Sequence, residues 1–179
     1  MHDFHSLVAV ALQQTGLLDD VEFGALLGFA LNFERIELAP SQRLFSQGDE
    51  GNGWFLVLSG VVTIVRDDPA DTHILDQLEA PGSFGEMALI DGAPRMAAAE
   101  AFERTVVARL PRAAFDALLS KGDPLAILLL RAMSGVMCRR HRQLTWLLSD
   151  LVNIDDAEIT NAPVPPAVDA LLRSTITWH

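Results

Sequence analysis

The sequence predicts an α+β fold, in which helices flank an antiparallel β sandwich, barrel or jelly roll. Three observations indicate this class: helical spacing of apolar residues before residue 34, short strand-like runs from 34 to 110, and helical patterns again from 111 to 153. Short strands separated by regular turn signals are typical of such β architectures. A chain of 179 residues, 50% of them apolar, can bury the core that the fold requires.

The spacing of apolar residues and turn signals predicts the structure of the first two regions, the helical lead-in and the β region. In the lead-in, residues 1–33, apolar side chains recur every three or four positions between 4 and 31, with Asp and Gly interruptions, and this predicts two or three short helices. In the β region, turn signals such as SQGDEGNG and RDDPAD separate the strand candidates. These strand candidates are RIEL, RLF, WFLVL, VVTIV, HILDQLE, MAAAEA and TVVARL.

Two helices are predicted after the strands. Pro111 suits the first position of the helix PRAAFDALLSK, and Asp123 followed by Pro124 suits the start of a longer helix that runs to about Asp150. Apolar residues recur in the longer helix at heptad-like spacing, which indicates packing against the sheet or, less favoured, a dimer seam. They are Leu130, Met133, Met137, Leu144, Leu147 and Leu151. Residues 154–179 are turn-rich and predict a tail or docking arm after the domain 1–153.

Composition excludes several functional classes. A formal charge of -11 and a pI near 4.7 oppose non-specific binding to nucleic acid or an anionic membrane. The single Cys138 and the absence of a signal-like start favour a cytoplasmic protein, and the apolar run 125–130 is too short for a membrane span. His2 and His5 lack a third metal ligand nearby, and no nucleophile has a partnered base. We therefore expect neither a metal site nor an enzyme.

The segment PGSFGEMALIDGAPRMAAAEA, residues 81–101, contains the candidate ligand-binding residues. A helix of about two turns is predicted to begin at Ser83, and its free N–H groups form an anion seat that Gly85 allows a ligand to approach closely. Arg95 can add a forked pair of hydrogen bonds to a phosphate. The carboxylate of Glu86 repels a phosphate unless it accepts from a neighbouring hydroxyl, so the set fits a ribose phosphate.

Simpler interpretations of the same residues exist. Ser83 and Glu86 have the spacing of a capping box, in which the carboxylate returns to a backbone N–H. Arg95 follows a proline and can equally be a solvated turn arginine or the partner of Asp91. The combination of Gly85, Ala88 and Arg95 at matching spacing favours the ligand hypothesis for Glu86.

The stretch FGEMALIDGAPRMAAAEA resembles the phosphate-binding cassette of cyclic nucleotide-binding domains, whose pattern is Phe-Gly-Glu, Ala-Leu, a loop and Arg-x-Ala. LFSQGDEGNGWFLVLSGVVTIV upstream, and LPRAAFDALL with the long helix downstream, extend the resemblance to roughly residues 10–150. It implies a β jelly roll (double-stranded β-helix) with N-terminal helices, a short phosphate-cassette helix and a long C-terminal helix. The module is similar to the bacterial sensor domain of catabolite-activator-type regulators, without their helix-turn-helix.

The resemblance also implies roles for single residues. Glu86 would accept from the ribose 2′-hydroxyl and Arg95 would hold the cyclic phosphate. The backbone contacts would come from Gly85, Met87 and Ala88, and Ala97 would form the pocket floor.

The base is expected to meet other residues. Met96 stands where threonine favours guanine in this family, so we expect cAMP as the ligand, with cGMP and a larger cyclic dinucleotide as alternatives. The lid over the base comes from the long helix in the family, where Arg139, Arg142 and Thr145 are the candidates.

The function predicted is a cAMP sensor that signals through movement of its C-terminal helices. The signal would pass to an unidentified effector protein or through a homodimer formed by the long helix. One alternative is a nucleotide-independent interaction scaffold that uses the basic face 139–142 or the tail, and the bulk of Met96 keeps it open. Another is a transcription regulator, although only 26 residues follow Asn153 and leave no room for a helix-turn-helix.

Overall fold

The computed structural model describes residues 3–68 and 71–153, so the predicted tail, 154–179, lies outside the described residues. The chain divides into two compact units, 1–137 and 138–179. The elements are α1 (Phe4–Gln14), α2 (Phe23–Ala30), β1 (Glu34–Leu38), β2 (Arg43–Phe45), β3 (Gly53–Ser59), β4 (Val61–Asp68), β5 (Asp71–Glu79), β6 (Ser83–Phe84), α3 (Glu86–Asp91), β7 (Ala98–Ala101), β8 (Thr105–Pro111), α4 (Arg112–Ser120) and α5 (Pro124–Asn153).

The strands form two four-stranded sheets. One has the order β1-β8-β3-β6 and the other β2-β7-β4-β5, and every pairing is antiparallel. Consecutive strands often lie in different sheets, so the chain winds back and forth between the two layers. The predicted α+β jelly roll with a long C-terminal helix is confirmed.

Strand β3 is buried on both faces, and this explains its continuous apolar run. Trp54 and Leu56 point into a cluster shared with the helices, whereas Phe55 and Val57 point into the cluster between the sheets. Successive side chains of a strand alternate between its faces. A strand with two covered faces therefore reads as WFLVL rather than as an alternating pattern.

Two predicted helix starts were wrong by a few residues. Ser83 and Phe84 form strand β6, paired with Leu56 and Phe55, and helix α3 begins only at Glu86. The Phe84 ring stacks on the Phe55 ring with centroids 5.2 Å apart, so burial between the sheets overrides the local helix signal. Pro111 ends β8 and caps α4, whose first residue is Arg112.

Helix α5 starts as predicted. The Asp123 carboxylate accepts from the N–H groups of Leu125 and Ala126 at 2.9 and 3.0 Å, which caps the first turn. Met133 is buried in the helix-sheet cluster, so the packing interpretation is confirmed for this residue. In the unit 138–179, Leu144 is 59% exposed. The side chains of Leu147 and Leu151 lie outside the described part. No helix within residues 3–68 and 71–153 has the length and hydropathy to cross a membrane.

Candidate functional site

Arg95 is the centre of the candidate site. Its side chain is only 3% exposed. The guanidinium donates to the carbonyl oxygen of Gly53 at 2.7 Å and to that of Gly85 at 3.0 Å. It is therefore neither a solvated turn arginine nor a partner of Asp91, whose carboxylate accepts from the N–H of Ala93.

Aromatic rings and a turn hold Arg95 in this position. Its guanidinium carbon lies 4.3 Å from the ring centroid of Phe45 and 5.4 Å from that of Phe55, within the range of cation–π attraction. Its backbone N–H donates to the oxygen of Asp49, and its carbonyl accepts from the N–H of Gly48, both at 2.8 Å. Gly48 and Asp49 belong to the predicted turn SQGDEGNG, so this turn orients the arginine directly.

The buried charge is costly and incompletely paired. Burial, followed by repulsion from Arg109 and Arg112, lowers the pKa of Arg95 to about 10, while Glu86 and Asp49 oppose the change. The group remains charged at neutral pH. Its Nε is buried without a hydrogen-bond partner. An anion that accepted from this group would reduce the cost of its burial.

Gly85 joins strand β6 to helix α3 and has a left-handed backbone conformation. Its φ is +85°, and it occupies the N-cap position of α3 without a side-chain cap. The capping-box interpretation, which required Ser83 at the cap, was wrong because Ser83 belongs to β6. A side chain at Gly85 would place Cβ 2.7 Å from Nη1 of Arg95. Glycine is needed here for both its conformation and its lack of bulk.

The other cassette residues differ in exposure. Ala88 and Ala97 are buried, Glu86 is half-buried, and Met87 is exposed. Met96 is 62% exposed, so its bulk does not fill the interior around Arg95. The structure brings Gly85 into direct contact with Arg95, and Glu86 close enough for its charge to affect the pKa of Arg95.

The predicted lid residues belong to the unit 138–179. Arg139, Arg142 and Thr145 are exposed on α5, and the Thr145 hydroxyl donates to the His141 carbonyl oxygen at 3.0 Å. Their contact with a base remains a prediction.

Sequence reasoning missed several residues around Arg95. The rings of Phe45 and Phe55 and the carbonyl of Gly53 contact the guanidinium, although the sequence indicated only strands and a turn there. Arg109 and Arg112 were also missed as sources of positive charge next to it. No local signal identifies these residues, because they reach the site through strand pairing.

A cavity of about 310 Å³ borders the same aromatic rings. It is lined by Ile36, Leu44, Phe45, Asp49, Glu50, Asn52, Phe55 and Arg109. None of the seven predicted cassette residues is in this lining, so we centre the candidate site on Arg95 rather than on the cavity. The described residues, 3–68 and 71–153, contain no group of three side chains able to hold a metal ion.

Comparison with known proteins identifies similar sequences and folds. The family model for "Cyclic nucleotide-binding domain" matches residues 35–121. A cAMP-dependent protein kinase regulatory subunit of Mucor circinelloides is 31% identical over 60% of this chain and 25% of that protein. A lysophospholipase of Kluyveromyces lactis is 31% identical over 65% of this chain. The chain spans only 9% of that lysophospholipase, so the whole enzyme's activity does not follow from the match.

A solved structure with the same fold is the catabolite activator protein of Thermus thermophilus. It is 30% identical with a TM-score of 0.61, and the match covers 68% of this chain and 56% of that one.

Proposed function

Because residues 35–121 belong to the cyclic nucleotide-binding domain family, we propose that the chain binds a cyclic nucleotide, cAMP, with the phosphate at Arg95. The observation that carries the proposal is the buried guanidinium of Arg95, which donates to two backbone carbonyl oxygens and has a buried Nε without a hydrogen-bond partner. A buried cation in this state is best neutralised by an anion that reaches it from solution. An ester phosphate provides both the charge and the acceptor oxygens.

Two further facts support a nucleotide rather than an inorganic anion. Glu86 lies near Arg95 and is half-buried, as expected of a carboxylate that accepts from a ribose hydroxyl. Among the similar proteins, the regulatory subunit belongs to a cAMP-dependent protein kinase, and the catabolite activator protein has the same fold. Exposed Met96, in place of threonine, supports cAMP over cGMP.

The output we propose is a change in the C-terminal helices that a partner detects. Ala126, Leu129 and Met133 in the first turns of α5 belong to the same buried cluster as Trp54 and Leu56 of β3, so a ligand that shifts the sheet can act on this helix. Exposed Leu144 and Trp146 supply apolar surface for an effector protein or a second copy of the chain. Arg139, Arg142 and Thr145 are our candidates for the lid over the base.

A thermal-shift panel tests the ligand. We expect cAMP at one hundred times its Kd to stabilise the fold by about 2.7 kcal/mol, cGMP to give a smaller shift at equal concentration, and 5′-AMP and inorganic phosphate to give none. The open monoester is the matched control because it has the same base and sugar but a different phosphate charge and shape. Absence of a shift with every cyclic mononucleotide and dinucleotide would contradict the proposal.

Replacing Glu86 with glutamine tests the sugar contact. We expect cAMP affinity to fall about tenfold, because a charge-assisted hydrogen bond becomes a neutral one. Wild-type protein should lose a similar factor with 2′-deoxy-cAMP, and the two losses should not add in a double cycle. Calorimetric titration measures all four affinities.

The control for this substitution is Glu103→Gln, which removes the same charge from an exposed turn outside the cassette. Fully additive losses from Glu86→Gln and the deoxy sugar would show that the carboxylate does not contact the 2′-hydroxyl.

A further inference from the structure

Three consecutive carbonyl groups, those of residues 51–53, each accept from a different arginine. Arg112 Nε donates to the Gly51 oxygen at 2.8 Å, and Arg109 Nη2 donates to the oxygen of Asn52 at 3.0 Å. Arg95 Nη2 donates to the oxygen of Gly53 at 2.7 Å. We call residues 51–53 the arginine-held loop. Its backbone connects the proposed phosphate ligand, Arg95, with two arginines that have no assigned role.

Strand register brings these partners together. In the β3–β8 pair, Gly53 lies opposite Pro111 and Trp54 lies opposite Leu110. These pairs lie at the C-terminal end of β8. Arg109 stands just before Leu110 and Arg112 just after Pro111, so both arginines lie beside the loop. The pairing also places the start of α4 at the loop, since the N–H of Arg112 donates to the Asn52 oxygen at 3.0 Å.

Arg112 also contacts the cassette helix. Its Nη2 donates to the carbonyl oxygen of Ala88 on α3. Gly51 packs directly on the same residue: a Cβ at Gly51 would collide with the Ala88 side chain and lie 2.9 Å from its carbonyl oxygen. One guanidinium therefore joins α3, the arginine-held loop and the first residue of α4.

Arg109 differs from Arg112 in what it joins. In the loop it donates to the Asn52 oxygen, and its Nη1 lies 3.5 Å from the Glu34 carboxylate on β1. Both arginines are half-buried, and both lower the pKa of Arg95 by repulsion. Arg109 is therefore a matched control. It places a similar charge on the same loop, but it is not the residue that donates to Ala88 of α3, nor the first residue of α4.

We propose that Arg112 is a positioning residue that couples anion binding at Arg95 to helix α4 through the arginine-held loop. This inference rests on the proposed function, since it assigns the route by which occupancy of that site reaches the C-terminal helices. A phosphate that accepts hydrogen bonds from Arg95 changes the hydrogen bond that Arg95 donates to the Gly53 oxygen. Arg112 donates to the oxygen of Gly51, two residues before Gly53, so a movement of the loop also moves Arg112. Because Arg112 contacts α3 and is the first residue of α4, this movement reaches both helices.

The experiment compares Arg112→Met, Arg112→Lys and Arg109→Met with wild type. Calorimetry measures cAMP affinity, and hydrogen exchange measures how much the ligand slows exchange of the amides in α4, Arg112–Ser120. We expect Arg112→Met to lower affinity about tenfold, within the usual range of coupling between sites, and to abolish the ligand response of α4. Arg109→Met removes a neighbouring charge of the same sign, so we expect a smaller loss of affinity than in Arg112→Met, with the α4 response retained.

The lysine variant separates position from charge. Lysine keeps the positive charge but cannot hold two carbonyl oxygens in a fork, so we expect Arg112→Lys to lose the α4 response as well. Arg112→Lys also tests the proposal if Arg112→Met does not fold. A normal α4 response in Arg112→Lys, or equal effects of the Arg109 and Arg112 methionine variants, would overturn the proposal.

Exchange without ligand distinguishes failure of the inference from failure of the proposed function. If wild type binds no cyclic nucleotide, the proposed function fails, and the ligand-free protein then decides whether Arg112 positions α3. We expect faster amide exchange in Glu86–Asp91 in Arg112→Met than in Arg109→Met. Equal exchange rates in these two variants would overturn the positioning role.

Discussion

Replacing Arg95 with lysine is expected to weaken cAMP binding about 30- to 150-fold, which corresponds to the loss of about 2 to 3 kcal/mol from a charge-assisted forked contact. Lysine keeps the positive charge, so the loss measures the fork rather than the charge. An ammonium group also cannot donate to the Gly53 and Gly85 oxygens in the fixed geometry of the guanidinium. Calorimetric titration of both proteins measures the difference.

The matched control is Arg104→Lys, which makes the same substitution at a side chain that is 82% exposed. We expect its affinity to stay within about twofold of wild type. Circular dichroism and thermal unfolding establish that Arg95→Lys remains folded. An unchanged affinity in folded Arg95→Lys would mean that the phosphate is held elsewhere.

Replacing Gly85 with alanine is expected to damage both stability and binding. The residue has a φ of +85°, and a left-handed conformation costs a residue with a side chain about 1 to 2 kcal/mol. The new Cβ would also lie 2.7 Å from Arg95 Nη1 and 3.3 Å from the Gly53 oxygen. Arg95 must therefore move, and we expect cAMP affinity to fall by at least about tenfold, approaching the loss expected for Arg95→Lys.

Gly92→Ala is the control for the backbone penalty. Gly92 caps the other end of α3 with a φ of +73°, and its added Cβ would have no atom within 4 Å. It should lose about the same 1 to 2 kcal/mol of unfolding free energy in urea titration while keeping its affinity. Equal affinities in the two variants would contradict the close packing of Gly85 against Arg95.

Local sequence patterns were sufficient for most of the fold. Turn residues and β-branched runs predicted the order of the strands, and Asp123 followed by Pro124 predicted the start of α5. The errors fell at Ser83 and Pro111, where strand pairing extends to the residue next to a helix. A local pattern cannot reveal such an extension because the pairing partner is distant in sequence.

The sequence by itself determined the cassette motif and an α+β class with an antiparallel β region, since both depend on residue types at short spacing. The resemblance to a known family then favoured a jelly roll over a sandwich or barrel. Only the tertiary structure decided that Arg95 is buried over Phe45 and bonded to Gly53, a residue 42 positions earlier. The same holds for the contact of Arg112 with Gly51, which spans 61 positions. The physical reason is that a guanidinium takes whichever carbonyl oxygens strand pairing brings within reach, and that pairing is a property of the folded sheets.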